Sequence, residues 1–237
     1  SMRLNNYISS SGLCSRRKAD ELIKNNKVKV NSIIADLGYQ VSEGDIVEVD
    51  GTIIKPKEDK VYIALYKPVG ITCTTEGHIE GNIVDYVNYK ERIFPIGRLD
   101  KDSEGLILLT NDGDIVNRIL REENHHEKEY IVTVDKPLDS KTLKQMSQGV
   151  RIYNPVKNTY TTTKPCKIHK ISEKSFKIVL SQGLNRQIRR MCQHFGYKVR
   201  KLKRVRILNI TLDGLSYGKW RFLNQAEVSS LKTKTDI

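Results

Sequence analysis

One arginine and three carboxylates fall within seven residues of this chain, and the combination could carry out nucleophilic or acid–base chemistry. Arg98, Asp100, Asp102 and Glu104 are each two residues apart. Asp100 is our candidate for the reacting group, because a carboxylate is a nucleophile when a nearby cation keeps it ionised in a dry site. The alternative is a charged surface turn, which is the usual setting of an isolated aspartate.

The segment that follows predicts how this stretch is held. Residues 106–110 are an apolar run bounded by Gly105 and by the turn-forming residues 111–113, which is typical of a short buried strand. A loop attached to a rigid strand can hold a reacting group with little reorganisation. We therefore expect Asp100 to lie in a loop at the rim of a sheet.

Length and composition exclude several classes of protein. The chain has 237 residues, of which 38% are hydrophobic and 29% charged, and this suits one small and one medium domain. No apolar run reaches the roughly 18 residues of a membrane span and no secretory segment is visible, so we expect a cytoplasmic protein without a membrane anchor. The four cysteines are scattered and form no C-x-x-C pair, which predicts free thiols and no metal site.

The formal net charge of +13 indicates a polyanionic partner, and the positive charge is concentrated at the two ends of the chain. The net charge is +5 in residues 1–30 and +17 in residues 131–237, whereas the segments between them are acidic. The window from residue 186 to residue 206 holds nine Lys or Arg residues and no acid. Such a run repels itself in isolation, so we expect it to bind an anionic partner.

The first fifty residues predict a small RNA-binding module. Apolar residues recur at helical spacing in two stretches, and Ser15 can cap the second helix. Short strands are expected at 28–31 and 46–49, followed by a hairpin turn at residues 50–51. A solvated helix face is the alternative interpretation of its basic residues. Our candidates for RNA contacts in this module are Arg3, Arg16, Arg17, Lys18 and Lys24.

The rest of the chain predicts a larger domain in which strands and short helices follow one another. Residues 55–60 are charged and contain a proline, which is typical of a linker. A strand is expected at 129–134, and the polar connector before it predicts that His125 and His126 are exposed. We assign the small domain to residues 1–50, the linker to 51–60, the large domain to 61–231 and a frayed tail to 232–237.

A helix with three arginines is predicted after the strand at 176–180 and the turn at 181–185. Its apolar residues fall at helical spacing and should face the core. Arg186, Arg189 and Arg190 are spaced so that they share another face. We therefore expect these arginines to be available to an anionic partner.

Five motifs, in order along the chain, resemble those of the RNA pseudouridine synthases of the RsuA type. Residues 3–51 are similar to an S4 RNA-binding domain, and residues 97–100, with the strand after them, match the catalytic motif. The resemblance implies an α+β synthase domain with a large, mixed, mostly antiparallel sheet. Leu184 departs from the basic residue of many relatives, and with its neighbours resembles the F-type synthases of the large ribosomal subunit RNA. The other matches are residues 67–70, 128–130 and 183–191.

The resemblance also implies an activity, which is site-specific conversion of uridine to pseudouridine in 23S ribosomal RNA. A tRNA anticodon stem-loop is a second candidate substrate, and we expect a monomer that uses no cofactor. Asp100 would be the nucleophile, Tyr130 would stack on the uracil of a flipped-out nucleotide, and an arginine of the last motif would pair with Asp100. We assign that pairing to Arg189, with Arg186 as the competing candidate.

Further residues receive roles from the same resemblance and from the charge pattern. Arg98 is placed to fill the gap left by the flipped nucleotide. The expected pocket residues are Arg98, Leu99 and Leu202. The expected RNA contacts of the large domain are Lys67, Arg186, Arg190, Lys201, Lys203 and Arg204.

Two other functions are compatible with the same residues. A ribosome-assembly protein could keep this scaffold without activity, and Tyr130 would then only pack in the core, as strand tyrosines usually do. Intact Asp100, Tyr130 and Arg189 disfavour that function. An RNA hydrolase could use Asp100 with Asp102 or Glu104 as a carboxylate pair, which normally requires a metal, so that a chelator would distinguish it.

Overall fold

The chain folds into two compact units, one up to residue 59 and one from residue 60 onward. The computed structural model describes residues 2–57, 59–121 and 126–235. Each unit has its own cluster of buried hydrophobic residues, as separate domains do. Within the described ranges, no helix is long and apolar enough to cross a membrane.

The small unit packs two helices against short strands. Ser15 caps the second helix, since its side-chain oxygen accepts a hydrogen bond of 3.1 Å from the backbone N–H of Lys18, as the sequence predicts. Leu4 and Ile23 are buried against Val28 and Val47 of the strands. The elements are β1 (Met2–Arg3), α1 (Leu4–Ser10), α2 (Arg16–Lys24), β2 (Val28–Val30), β3 (Ile33–Ile34), β4 (Gln40–Val41), β5 (Val47–Val49) and β6 (Thr52–Ile54).

The predicted linker at 51–60 begins too early. Asp50 and Gly51 both have positive φ, at 48° and 81°, and they join β5 to β6 in a two-residue hairpin turn. Residues 52–54 are therefore a strand of the small unit's sheet, paired with β5. The hairpin itself is the one predicted from the Asp-Gly pair.

The large unit is built on a nine-stranded sheet with the order β13-β14-β10-β15-β9-β7-β17, in which β16 pairs with β15 and β8 with β9. The described strands of this sheet pair antiparallel except β9 and β15, which are parallel. This mixed, mostly antiparallel sheet with helices confirms the predicted α+β class. Its strands are β7 (Tyr62–Lys67), β8 (Phe94–Ile96), β9 (Glu104–Thr110), β10 (Lys128–Val134), β13 (Lys167–Lys170), β14 (Ser175–Leu180), β15 (Val199–Ile207), β16 (Ile210–Thr211) and β17 (Trp220–Phe222).

Helices and one separate hairpin complete the large unit. Strands β11 (Arg151–Asn154) and β12 (Thr159–Thr162) pair only with each other among the described strands. The helices are α3 (Ile83–Val87), α4 (Gly113–Arg121), α5 (Ser140–Ser147), α6 (Gln187–His194) and α7 (Gln225–Thr235).

Strand β9 is the structural support of the predicted catalytic loop. All seven of its residues are buried. Leu106 and Leu108 pack into one core cluster and Ile107 and Leu109 into another, so the strand is covered on both faces. This explains why its sequence is a continuous apolar run instead of an alternating pattern, and the predicted buried strand is confirmed.

Helix α7 corrects the predicted frayed tail at 232–237, because it continues to Thr235. Asn224 and Glu227 form a capping box, in which each side chain accepts the other's backbone N–H at 2.8 and 2.9 Å. Leu231 is fully buried and anchors the helix. The Asn-x-x-Glu spacing is visible in the sequence and could have predicted this helix; residues 236–237 lie outside the described part.

Candidate active site

Three neighbouring strands bring the loop of Asp100 and the strand of Tyr130 together. Gly105, just after the loop, lies opposite Arg204 in the parallel pair of β9 and β15. Arg204 in turn lies opposite Tyr130 of β10. Segments that are far apart in sequence are thus adjacent at one end of β9.

Gly105 is required for this arrangement. Its φ is +117°, and a Cβ atom at this position would lie 2.2 Å from the backbone oxygen of Arg204. Only glycine avoids both the unfavourable backbone conformation and this clash. The glycine of the catalytic motif therefore permits the close approach of β15.

A cavity of about 460 Å³ opens beside the loop, within the size range of small-molecule sites. Its lining includes several residues that the sequence predicts for the site, namely Arg98, Leu99, Asp100, Tyr130, Arg186, Leu202 and Arg204. The other residues that line the cavity are largely apolar and include Leu184 and Ile188.

Arg186 is the arginine that contacts Asp100, with Nη1 3.3 Å from the carboxylate oxygen Oδ2. Its two terminal nitrogens also donate hydrogen bonds of 3.1 and 2.9 Å to the two oxygens of Asp102. The assignment of the pairing to Arg189 is therefore corrected in favour of Arg186. Arg186 precedes the first turn of α6 and has a left-handed φ of 48°, which is costly for a residue with a side chain and is typical of functional sites.

Arg189 supports the loop at a different point. Its Nη2 donates to the backbone oxygen of Asp102 and to Oγ of Ser103, both at 3.1 Å. Its Nη1 lies 3.5 Å from a carboxylate oxygen of Asp102. The side chain is only 15% exposed, so it holds the loop from inside the protein.

The two arginines and Asp102 determine the electrostatics of the loop. The hydrogen bonds from Arg186 hold the pKa of the Asp102 carboxyl below its ordinary value. The same contact raises the pKa of Arg186, whereas burial lowers the pKa of Arg189. Asp102 therefore carries its charge at neutral pH and keeps Arg186 in place beside Asp100.

Lys67 was expected to contact RNA, but its side chain is fully buried. Its Nζ donates to the backbone oxygens of Pro68 and Lys101, at 2.8 and 3.4 Å. The N–H of Gly70 donates to the same oxygen of Lys101 at 2.8 Å. Burial lowers the pKa of Lys67. The residue thus ties the turn after β7 to the loop of Asp100 and has no surface for a phosphate.

Arg204 is the second predicted RNA contact that the structure corrects. Its side chain is 5% exposed, with Nε 2.8 Å from the backbone oxygen of Leu106 and Nη1 3.4 Å from that of Arg98. A buried guanidinium that donates to main-chain oxygens positions the loop. It cannot at the same time serve as an exposed phosphate contact.

The other predicted basic residues occupy different settings. Arg98 is exposed and lines both the cavity and a second one of about 490 Å³ that also borders the loop. Arg190 donates to the backbone and side-chain oxygens of Asn185, at 3.0 and 2.7 Å. Lys201 is exposed, and Nζ of Lys203 lies 5.2 Å from the ring centre of Tyr66. The five predicted RNA contacts of the small unit are all exposed, namely Arg3, Arg16, Arg17, Lys18 and Lys24.

His126 contradicts the expectation of exposure, because it is 3% exposed and lines the cavity. His125 lies outside the described residues. The polar residues before β10 suggested that His126 is exposed to solvent. His126 lies just before β10 enters the sheet, however, and its side chain is already buried there.

Asp102 and Ser103 organise the loop, a role that the sequence did not predict: Asp102 was expected only as a possible carboxylate partner of Asp100 in a hydrolase, and Ser103 had no predicted role. Their only local signal is their closeness to Asp100 in sequence. Their partners, Arg186 and Arg189, are more than eighty residues away. Contacts at such separation follow from the docking of α6, which local patterns do not predict.

The comparisons with known proteins show the family to which the chain belongs. Residues 61–194 match the family model described as RNA pseudouridylate synthase, and residues 2–47 match that of the S4 domain. The chain is 55% identical to the dual-specificity RNA pseudouridine synthase RluF of Escherichia coli (strain K12), over 98% of this chain and 78% of the relative. It is 36% identical to the ribosomal large subunit pseudouridine synthase B of Bacillus subtilis (strain 168), over 99% of this chain and 97% of the relative.

A solved structure supports the same conclusion. The crystal structure of a pseudouridylate synthase matches with a TM-score of 0.66 and 29% identity, over 98% of this chain and 100% of that chain. The chain therefore belongs to the RNA pseudouridine synthases of the RsuA type with an N-terminal S4 domain, and it is an enzyme that isomerises uridine to pseudouridine in RNA.

Proposed function

We propose that the protein converts specific uridines of 23S ribosomal RNA to pseudouridine, with Asp100 as the nucleophile. The observation that carries this proposal is the position of Asp100. Its carboxylate lines the cavity together with Tyr130 and lies 3.3 Å from the guanidinium of Arg186. A carboxylate held next to a fixed positive charge stays ionised when a substrate displaces water from it.

The reaction exchanges one bond for another within the same nucleotide. The bond between N1 of uracil and C1′ of ribose breaks, the base turns over, and a bond forms between C5 and C1′. The proton on C5 leaves and a proton is taken up at N1, so that no oxidant or reductant is consumed. A walled cavity suits this sequence because the detached base must be retained until it is joined again.

Tyr130 is placed to contact the base while this happens. Its ring lines the cavity beside Leu202, and its backbone is fixed by pairing with Arg204 and Ile178 in neighbouring strands. We propose that the ring stacks on the uracil and that its hydroxyl serves the proton transfer from C5. A tyrosine provides both an apolar face and a polar tip.

The target uridine must leave its stack to reach the cavity. We propose that it is flipped out, at a cost of a few kcal/mol that is lowest in loops and irregular regions. Arg98 is exposed at the mouth of the cavity, two residues before Asp100, and would fill the space that the base leaves. Leu99 is buried in the core and anchors this part of the loop.

The choice of RNA rests on the relatives. RluF is described as dual-specificity and the Bacillus subtilis relative as acting on the large ribosomal subunit, which supports 23S ribosomal RNA as substrate. A tRNA anticodon stem-loop is our candidate for a second substrate. We propose that the protein acts as a monomer in the cytoplasm, where both RNAs are found.

An RNA hydrolase remains the alternative to test, but the carboxylates it needs are engaged. Asp102 is bound by Arg186, and Glu104 accepts a 2.7 Å hydrogen bond from the hydroxyl of Tyr66. Among the described residues, neither of the two predicted partner carboxylates is therefore available to share a metal with Asp100.

Mapping of modified nucleotides tests the proposed function. Unmodified transcripts of 23S ribosomal RNA and of tRNAs are incubated with the purified protein, with and without a chelator, and pseudouridines are located by chemical labelling and primer extension. We expect pseudouridine at one or a few loop positions of the 23S transcript, independent of the chelator. Cleaved RNA that disappears with the chelator would indicate the hydrolase, and modification of tRNA alone would refute the ribosomal target.

A further inference from the structure

The hairpin of β11 and β12 presents two tyrosine rings on its outer face. Tyr153 and Tyr160 are directly opposite in the strand register, and their ring centres are 4.9 Å apart. They are nevertheless 39% and 62% exposed. The guanidinium carbon of Arg151 lies 4.3 Å from the ring centre of Tyr160. Exposed aromatic surface of this extent is more typical of a binding surface than of a structural pair.

The opposite face of this hairpin is fixed to the protein. Ile152 is buried in one core cluster with Met191 of α6. At the base of the hairpin, the backbone N–H of Thr163 donates to the backbone oxygen of Val150 at 2.8 Å. The backbone N–H of Val150 donates in turn to the hydroxyl oxygen of Thr163, also at 2.8 Å. The tyrosine pair is therefore held on a rigid support.

The segment of the chain that carries the pair is basic. Residues 140–172 contain seven Lys or Arg residues and no Asp or Glu. Arg151, Lys157 and Lys164 of the hairpin are exposed. Positive charge interleaved with exposed aromatic rings is the pattern that binds single-stranded nucleic acid, because phosphates meet the cations while bases stack on the rings.

The base of the hairpin adjoins the rim of the active-site cavity. The backbone N–H of Lys164 donates to the side-chain oxygen of Gln182 at 3.0 Å, and Gln187 donates to the same oxygen at 3.3 Å. Gln182 and Gln187 both line the cavity. An RNA strand that delivers one base to the cavity therefore has its neighbouring nucleotides within reach of the hairpin.

We propose that an unpaired base of the substrate RNA, near the uridine that enters the cavity, stacks on the pair of Tyr153 and Tyr160. Arg151 and Lys157 contact the phosphates on either side of that base. This surface would favour targets with an unpaired nucleotide close to the modified uridine. The inference rests on the proposed function for the identity of the RNA, but stacking on the rings is a binding property that is measured without turnover.

The test uses variants that separate the rings from the fold and from the charge. Tyr153→Thr with Tyr160→Thr removes both rings and keeps β propensity, since threonines already occupy neighbouring positions of β12. Tyr153→Phe with Tyr160→Phe keeps the rings and serves as the matched control. The probes are a short single-stranded oligoadenylate and an abasic oligonucleotide of the same length, and binding is followed by fluorescence anisotropy.

We expect the threonine variant to lose about fivefold or more of its affinity for oligoadenylate, which corresponds to loss of stacking by one base. Its affinity for the abasic strand and the affinities of the phenylalanine variant should equal those of the parent. Equal affinity of the threonine variant and the parent for oligoadenylate would overturn the proposal. An equal loss of affinity for both probes would overturn it as well, because the rings would then affect binding only by stabilising the fold.

Two further arms keep the result interpretable. Tyr160→Thr alone repeats the measurement should the double variant unfold, because Tyr160 is the more exposed of the two rings. The parent protein is also assayed for pseudouridine on the 23S transcript. Ring-dependent binding without any pseudouridine would refute the proposed ribosomal target and leave the stacking surface intact, so the two failures are distinguishable.

Discussion

At the scale of single residues, Arg186 divides its guanidinium between two carboxylates. Asp102 accepts two hydrogen bonds from it, whereas Asp100 holds a single longer contact of 3.3 Å. Because Asp102 fixes the guanidinium, Asp100 gains a nearby positive charge while its side chain stays 36% exposed. The carboxylate of Asp100 thus lies beside a fixed positive charge and is still accessible, as the proposed nucleophile must be.

The roles of the two arginines can be separated by substitution. Arg186→Ala should lower kcat by about 100-fold or more, because it removes the charge beside Asp100. Arg189→Ala should cost only about tenfold, since it removes contacts to the backbone of Asp102 and to Ser103 and loosens the loop. Single-turnover kinetics and RNA affinity are measured for both. A larger loss of kcat for Arg189→Ala would restore Arg189 as the partner of Asp100.

Sequence could predict that Asp100 and Tyr130 lie at one site, but not which arginine contacts Asp100. Helical spacing places Arg186, Arg189 and Arg190 on one face. In the structure α6 begins only at Gln187, and Arg186 precedes it with a left-handed backbone. The direction of its side chain is therefore set by a turn and not by the helical period, and the pattern cannot reveal it.

At the scale of secondary-structure elements, the close approach of β9 and β15 positions the residues of the site, and Gly105 permits this close approach. Gly105→Ala places a Cβ atom 2.2 Å from the backbone oxygen of Arg204 at a φ of +117°. We expect a loss of about 3 kcal/mol or more in the free energy of unfolding, from backbone strain and overpacking together. Urea unfolding and pseudouridine formation are measured side by side.

Gly113→Ala is the matched control for this substitution. Gly113 begins α4, and a Cβ atom there meets no atom within 4 Å. Its unfolding free energy should stay within about 1 kcal/mol of the parent, since alanine favours helices. Equal stability of the two alanine variants would show that β15 can move away from β9 without cost.

The anchoring of α7 predicts a dependence of stability on pH. Hydrogen bonds of 2.7 and 2.9 Å from Arg221 hold the pKa of Glu227 below its ordinary value. The stabilisation is therefore present above the ordinary glutamate pKa and is lost as the pH falls through the lowered pKa of the folded state. Glu227→Gln should cost about 1–2 kcal/mol near neutral pH, and the difference should shrink on acidification. A constant difference at all pH values would refute the ion pair.

Strand β15 shows why part of the fold escaped prediction. Its nine residues contain five Lys or Arg, which indicated a basic surface, yet Leu202 and Arg204 are buried in a central strand. Arg204 is tolerated there because the backbone oxygens of Leu106 in β9 and of Arg98 in the loop accept its hydrogen bonds. Lys67, at the end of β7, is likewise a buried cation that donates a hydrogen bond to a backbone oxygen. Burial of a cation depends on partners distant in sequence, and composition alone predicts the opposite.

At the scale of the whole molecule, the positive charge is collected at the two ends of the chain. The division into a small and a large unit was visible from the order of motifs. The end of the small unit was not, because charged residues 55–60 suggested a linker and hid the short strand β6 before them. Charge and the order of motifs predict the partners and the number of domains better than they predict the domain boundaries.

This charge distribution predicts a steep dependence of RNA affinity on salt. Affinity for the 23S transcript should fall by about tenfold or more between low and physiological salt, because bound phosphates release counterions. Arg16→Gln with Arg17→Gln should weaken binding and reduce the slope of log K against log salt by about 2. An unchanged slope would remove the helix α2 from the RNA-binding surface.

The most direct test of the account replaces Asp100, the proposed nucleophile, by its neutral isostere. Asp100→Asn is compared with Asp102→Asn in single-turnover assays on the 23S transcript, with RNA binding measured for each. We predict no pseudouridine from Asp100→Asn, binding close to that of the parent, and reduced but measurable activity from Asp102→Asn, which only positions Arg186. Turnover by Asp100→Asn near the parent rate would contradict the central claim.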